Sequence, residues 1–180
     1  ARLVAEVTGR SLACHDHLVS TNADADLVDF AVAAWREEGR WSVSALPARV
    51  TGSMEDLRTA LRRLPGEGGV FGFIGNFDEF FMIIRQVGEH TRMFLSDGTA
   101  VLDWPLADEA AEAVDLFVDE DELEEFVPIG DLEILHDFGI DSTELLLMCE
   151  DVNLYPDDQV KQIAKKLGFG PQLSTALKSR

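Results

Sequence analysis

A chain of 180 residues, 46% of them apolar, holds enough material for one domain with a substantial core, or one domain and a small appendage. Its 34 Asp and Glu outnumber 15 Lys and Arg for a formal net charge of -19. That charge works against direct binding of nucleic acid or an anionic membrane and favours a basic protein, or a multivalent cation, as complement. No apolar run approaches the roughly 20 residues of a membrane-spanning helix. The first residues lack the charged start, apolar stretch and small-residue cleavage site of an export signal. A cytoplasmic protein is expected, with Cys14 and Cys149 reduced and unpaired.

Residues 1–25 are read as an N-terminal extension, poor order being one reading of it; Leu3 to Val7 fits either a short strand or one helical turn. Asp29 to Leu46 admits a helix, since alanine favours one, or a hairpin. Phe30, Val32 and Ala34 alternate with Ala31, Ala33 and Trp35, and Trp41, Val43 and Ala45 alternate with serines beyond Glu37-Glu38-Gly39. Period-two patterning on both sides of a glycine turn favours the hairpin. Pro47 ends it. Ser53 is the expected N-cap of a helix whose apolar stripe is Leu57, Ala60, Leu61 and Leu64, with Pro65-Gly66 as its stop. Val70–Gly75, Glu79–Val87 and Thr91–Leu95 then read as three strands of an antiparallel meander, separated by short turns. A helix capped by Asp97 and re-started at Pro105 is expected to run to about Val114 and to return over the same sheet face as the first helix.

The character changes at 115–127, where Asp119, Glu120, Asp121, Glu122, Glu124 and Glu125 crowd together among Leu116, Phe117, Leu123 and Phe126. Self-repulsion makes this an acidic linker with hydrophobic anchors, and its carboxylates are the candidate surface for a partner. From 128 the chain reads as helical. Asp131 to Phe138 is closed by Gly139, Asp141 caps the next helix with Glu144 at the capping-box position, Tyr155-Pro156 opens a third that Gly168 closes, and Pro171 starts a last one.

Recognisable reactive constellations are missing. Cys14-His15-Asp16-His17 packs ligand types too tightly for convergence on a metal. The acidic run lacks the spacing of a calcium loop. Gly66, Gly68, Gly69, Gly72 and Gly75 feed a strand, whereas a phosphate loop opens a helix. His90 and His136 have no serine or cysteine that sequence brings beside them.

The motifs LPGEGGVFGF (64–73), DEFFMIIR (78–85), FLSDGTAVLDWPLA (94–107), GDLEIL (130–135) and LYPDDQVKQIAKKLGFG (154–170), in that order, resemble the bacterial family of tRNA adenosine deaminase-associated proteins. The likeness covers roughly 30–177 and implies a partner, tRNA adenosine deaminase, without implying a mechanism. Deaminase chemistry itself needs H-x-E and P-C-x-x-C motifs, and the chain has neither.

The expected fold is α+β: an antiparallel sheet in ββαβββα order over 26–114, similar to roadblock or longin-type modules by analogy, with helices on one face. An acidic linker (115–127) and a small C-terminal helical subdomain (128–180) follow. The expected function is non-catalytic docking on, or regulation of, a basic protein partner, with no catalytic, cofactor-binding or metal-binding residue. The rival readings are a nucleic-acid mimic that inhibits a tRNA-modifying enzyme, and an enzyme with an unrecognised site.

Overall fold

The structure, a computed structural model, describes residues 28–179. The expected hairpin forms as β1 (Phe30–Glu37) and β2 (Arg40–Ala45). Its two-residue turn places Glu38 and Gly39 at φ 49° and 77°, the left-handed backbone that matches strand twist. Helix α1 (Met54–Arg62) starts where Ser53 Oγ accepts from the Asp56 amide. The meander follows as β3 (Val70–Gly75), β4 (Phe81–Val87) and β5 (His90–Leu95). The next helix is broken by Pro105 into α2 (Ala100–Asp103) and α3 (Pro105–Ala113), and its cap is Thr99, two residues later than expected.

The strands form one antiparallel sheet in the order β2-β1-β3-β4-β5, extended at its far edge by a sixth strand, β6 (Ile129–Gly130). The α+β class and the ββαβββα sequence of elements are as expected. β6 is not, because it lies where the acidic segment returns to the sheet. There Gly98 donates to Val127 O at 2.9 Å and the Asp131 amide to Met93 O at 2.7 Å.

Alternation sends the side chains of each strand to two faces, and both faces are covered. On one, Ala31, Ala33, Ile74, Met82, Ile84, Met93 and Leu95 pack under Leu57 and Leu61 of α1 and Ala107 and Ala110 of α3. Gly72 lies directly beneath this layer; a Cβ there would meet Leu61 Cδ1 at 3.4 Å and Ile74 Cδ1 at 3.1 Å. The other face carries the large rings Phe30, Phe71, Phe73, Phe81 and Phe94. They meet α4 (Ser142–Cys149), α5 (Pro156–Leu167) and α6 (Gly170–Lys178) through Leu145, Val160, Ile163 and Leu173, with Phe169 between the last two helices. Helices on one face only was therefore too narrow an expectation: the C-terminal helices are the second layer on the sheet. Each fully buried phenylalanine contributes about 2–3 kcal/mol, so this ring-lined face holds much of the fold's hydrophobic stabilisation.

Residues 131–138, expected as a short helix, instead form turns and a 3-10 segment, His136–Phe138, closed by Gly139 at φ 95°. Two arginines hold them to the sheet. Arg92 of β5 pairs with Asp131 and donates to Glu133 O at 3.0 Å. Arg85 of β4 is only 4% exposed and lies between the rings of Phe71 and Phe138, 5.1 and 5.2 Å from their centroids. All its donors are used: Nε and Nη2 reach Gly68 O, Nη1 reaches Ile134 O, and Nη1 and Nη2 each reach one Asp137 oxygen at 2.6 Å. No helix of the described residues is long and apolar enough to cross a membrane.

Candidate functional site

One end of the sheet is defined by Phe30, Gly75, Phe81 and Leu95, and four turns converge there. In the first, Asn76 Oδ1 accepts from the Asp78 amide at 2.9 Å and Asp29 Oδ2 accepts from the Phe77 amide at 3.0 Å. This fixes the loop and presents Asp78 and Glu79 at its tip; Glu79 Oε2 also accepts from Trp104 Nε1 at 2.7 Å. In the second, Asp97 Oδ1 accepts from Thr99 N and Oγ1, while its Oδ2 accepts from the Phe126 amide at 3.2 Å. That last bond ties in the third segment, where Phe126 sits at φ 62° with its side chain outward and 74% of the residue exposed. A bulky residue in the left-handed region is unfavourable by itself, so the Asp97 bond helps to hold it. The fourth turn, 150–155, is held by Asp151 Oδ1, which accepts from the Asn153 amide, and it leads into α5.

Between these turns lie two adjoining hollows, of about 450 and 310 Å³. Asp78, Glu79, Asp97 and Phe126 line both, so the two hollows share one wall. Glu150 and Asp151 add carboxylates to the larger, Asp103 and Glu125 to the smaller, and among the described residues no Lys or Arg lines either. None of these seven carboxylates is in an ion pair among the described residues. The apolar part of the larger hollow comes from Phe126, Val152, Leu154, Tyr155 and Pro156, with Val152 90% and Tyr155 61% exposed. Arg36, Arg40, Arg85 and Arg92 belong to the opposite half of the sheet, around the β1–β2 and β4–β5 turns, and Arg62 of α1 pairs there with Glu89.

The candidate acidic cluster lies beside this groove more than in it. Asp119 Oδ1 accepts from the Asp121 amide and caps a 3-10 turn over Glu120–Glu122. Leu123 Cδ2 is close against Gly98. Asp119, Glu120, Asp121, Glu122 and Glu124 are exposed and outside both hollows, whereas Glu125 lines the smaller. Of the expected hydrophobic anchors, Leu116 packs on the core and Leu123 is half-buried, but Phe117 and Phe126 face outward.

Other singled-out residues find structural partners. The amides of Gly66, Glu67 and Gly69 donate to Leu64, Arg36 and Gly66 carbonyls, so they are not aimed at an anion. His136 Nδ1 lies 2.9 Å from Glu133 Oε2. Burial, with a smaller contribution from Glu150, pushes the Cys149 thiol up to about 12, which leaves it protonated and a poor nucleophile at neutral pH. Among the described residues no group of three or more His, Cys, Asp and Glu side chains is arranged to hold a metal. The Cys14–His17 cluster and the expected extension fall outside the described residues. The arrangement at the sheet end suits binding of distributed positive charge next to apolar surface. Sequence reasoning missed it because its carboxylates come one or two at a time from separate turns.

A family model described as Rv3753c-like tRNA adenosine deaminase-associated protein matches residues 29–170. Protein Rv3753c of Mycobacterium tuberculosis (strain ATCC 25618 / H37Rv) is 40% identical over 150 residues, which are 82% of this chain and 87% of that protein. No solved structure matches, so the roadblock and longin likeness rests on element order alone.

Proposed function

Because the chain belongs to the Rv3753c-like tRNA adenosine deaminase-associated protein family, we propose that it is a non-catalytic cytoplasmic protein that docks on a basic face of tRNA adenosine deaminase and regulates it. The observation that carries this reading is the gathering, at one end of the sheet, of exposed apolar side chains and of carboxylates that form no ion pair among the described residues, with no described Lys or Arg lining the hollows. Such a surface attracts a basic protein over several ångströms and adds apolar contact once it arrives. A net charge of -19 supports the same choice by repelling phosphate. The Cys149 thiol at the groove is held protonated, which argues against thiol chemistry there.

Calorimetric titration of the chain with purified tRNA adenosine deaminase tests the proposal. Binding at low salt that weakens as salt is raised is expected. No heat at low salt, with both proteins folded, overturns it. The rival nucleic-acid mimic predicts that added tRNA displaces the chain from the deaminase; docking elsewhere on the enzyme predicts a ternary complex.

A further inference from the structure

We infer that the two-hollow groove at the sheet end is a slot for a short extended segment of a protein partner, in which an aliphatic side chain is flanked by arginines. This deepens the docking proposal and rests on it for the identity of the natural partner only. The walls of the larger hollow carry carboxylates from two sides, Asp78, Glu79 and Asp97 from the strand turns and Glu150 and Asp151 from the helical side. The same hollow is lined by the exposed Val152 and Tyr155, which offer apolar surface to one aliphatic side chain. The charge is spread along both hollows and not focused on one point. That pattern matches several cations carried along a chain better than one small ligand.

Arginine fits the slot better than lysine. A guanidinium stacks flat on an aromatic ring while its edge pairs with a carboxylate in a two-bond fork, and an ammonium cannot do both. Phe126 and Tyr155 supply exposed rings next to Asp97 and Asp151. The fold itself contains this arrangement once already, where Arg85 lies against Phe71 and Phe138 and pairs with Asp137.

The test uses the full chain and a fluorescein-labelled peptide with an Arg-Leu-Arg core, beside a Glu-Leu-Glu control, read by fluorescence polarisation. The Arg-Leu-Arg peptide is expected to bind. Affinity should fall at least tenfold with Tyr155→Ala and with Phe126→Gly, the latter keeping a residue that accepts the local backbone. It should fall several-fold with a Lys-Leu-Lys core, and change less than threefold when Asp119, Asp121 and Glu122 are made neutral. Unchanged melting temperatures confirm that each variant is folded. Failure of the Arg-Leu-Arg peptide to bind, equal binding of the acidic control, or indifference to both ring substitutions overturns the slot. Peptide binding without deaminase binding leaves the slot standing and removes the deaminase. Deaminase binding that ignores Tyr155→Ala and Phe126→Gly removes the slot and leaves the deaminase.

Discussion

Arg85→Lys keeps the charge and most of the length of the side chain, yet it should be one of the more damaging substitutions in this protein. The guanidinium places five N–H donors on three acceptors: Gly68 O, Ile134 O and the Asp137 carboxylate. A lysine ammonium has three donors on one atom and cannot span acceptors on different sides of a planar group. If it keeps Asp137 and one carbonyl, the other carbonyl is stranded next to the buried site, at about 1–3 kcal/mol. Loss of stacking on Phe71 and Phe138 adds about 1 kcal/mol. The total is about 2–4 kcal/mol, a fall in melting temperature of roughly 5–15 °C for a chain of this size. Urea unfolding of wild type, Arg85→Lys and Arg85→Met at neutral pH measures it. A lysine variant within about 0.5 kcal/mol of wild type would mean that charge alone matters at this position. A methionine variant as stable as wild type would mean that Arg85 acts only as a space-filler between the rings.

The partner carboxylate gives a pH signature. The hydrogen bond from Arg85 is the main cause holding Asp137 below its ordinary value of 3.8, with burial opposing it. A lowered carboxyl in the folded state contributes stability that is complete above the unfolded value and lost as pH falls through the folded one. Asp137→Asn should therefore destabilise by a constant amount above about pH 5, and the gap to wild type should narrow as pH drops below 3.8; a gap that widens in acid would contradict the assignment. Cys149, its thiol raised to about 12, should resist iodoacetamide in the folded chain at neutral pH and react on unfolding. Peptide mapping separates it from Cys14, and rapid labelling of Cys149 in the native protein would refute its burial. Gly130 sits at φ 96° with Met93 O close to where a Cβ would lie. Gly130→Ala should cost about 2 kcal/mol or more and release β6, seen as faster cleavage by a Glu-specific protease within 115–127.

Much of the fold was legible because it is specified locally. Glu38-Gly39, the Ser53 cap, Pro105 and Gly168 each act on one turn of backbone, and each does what its chemistry requires. The second helical layer was legible in principle. Val70 to Ile74 and Phe81 to Ile84 run apolar without alternation, and an antiparallel strand needs that only when both faces are buried. Arg85, one charge at the end of such a run, was a similar signal. β6 was not legible: two residues, one of them glycine, become a strand only because the edge of β5 offers partners. The groove was hidden for the same reason. Asp78, Asp97 and Asp151 are ordinary turn residues, Phe126 carries no sequence sign of its left-handed backbone, and only the strand pairing brings the four turns to one place. The acidic run, conspicuous in the sequence, contributes Glu125 to that groove and otherwise stands next to it.

The two-residue β6 has a consequence for solubility. Without it, β5 would present a row of unpaired amides and carbonyls along a strand that ends in Met93-Phe94-Leu95, a template on which another copy of the chain could polymerise. A stub with a left-handed glycine, together with the Asp131 amide, covers the Met93–Leu95 end of that row and is too short to recruit a strand of its own. The negative run just before it repels a second copy approaching from outside. The segment that looks like a connector thus covers the end of an edge that another strand could otherwise extend.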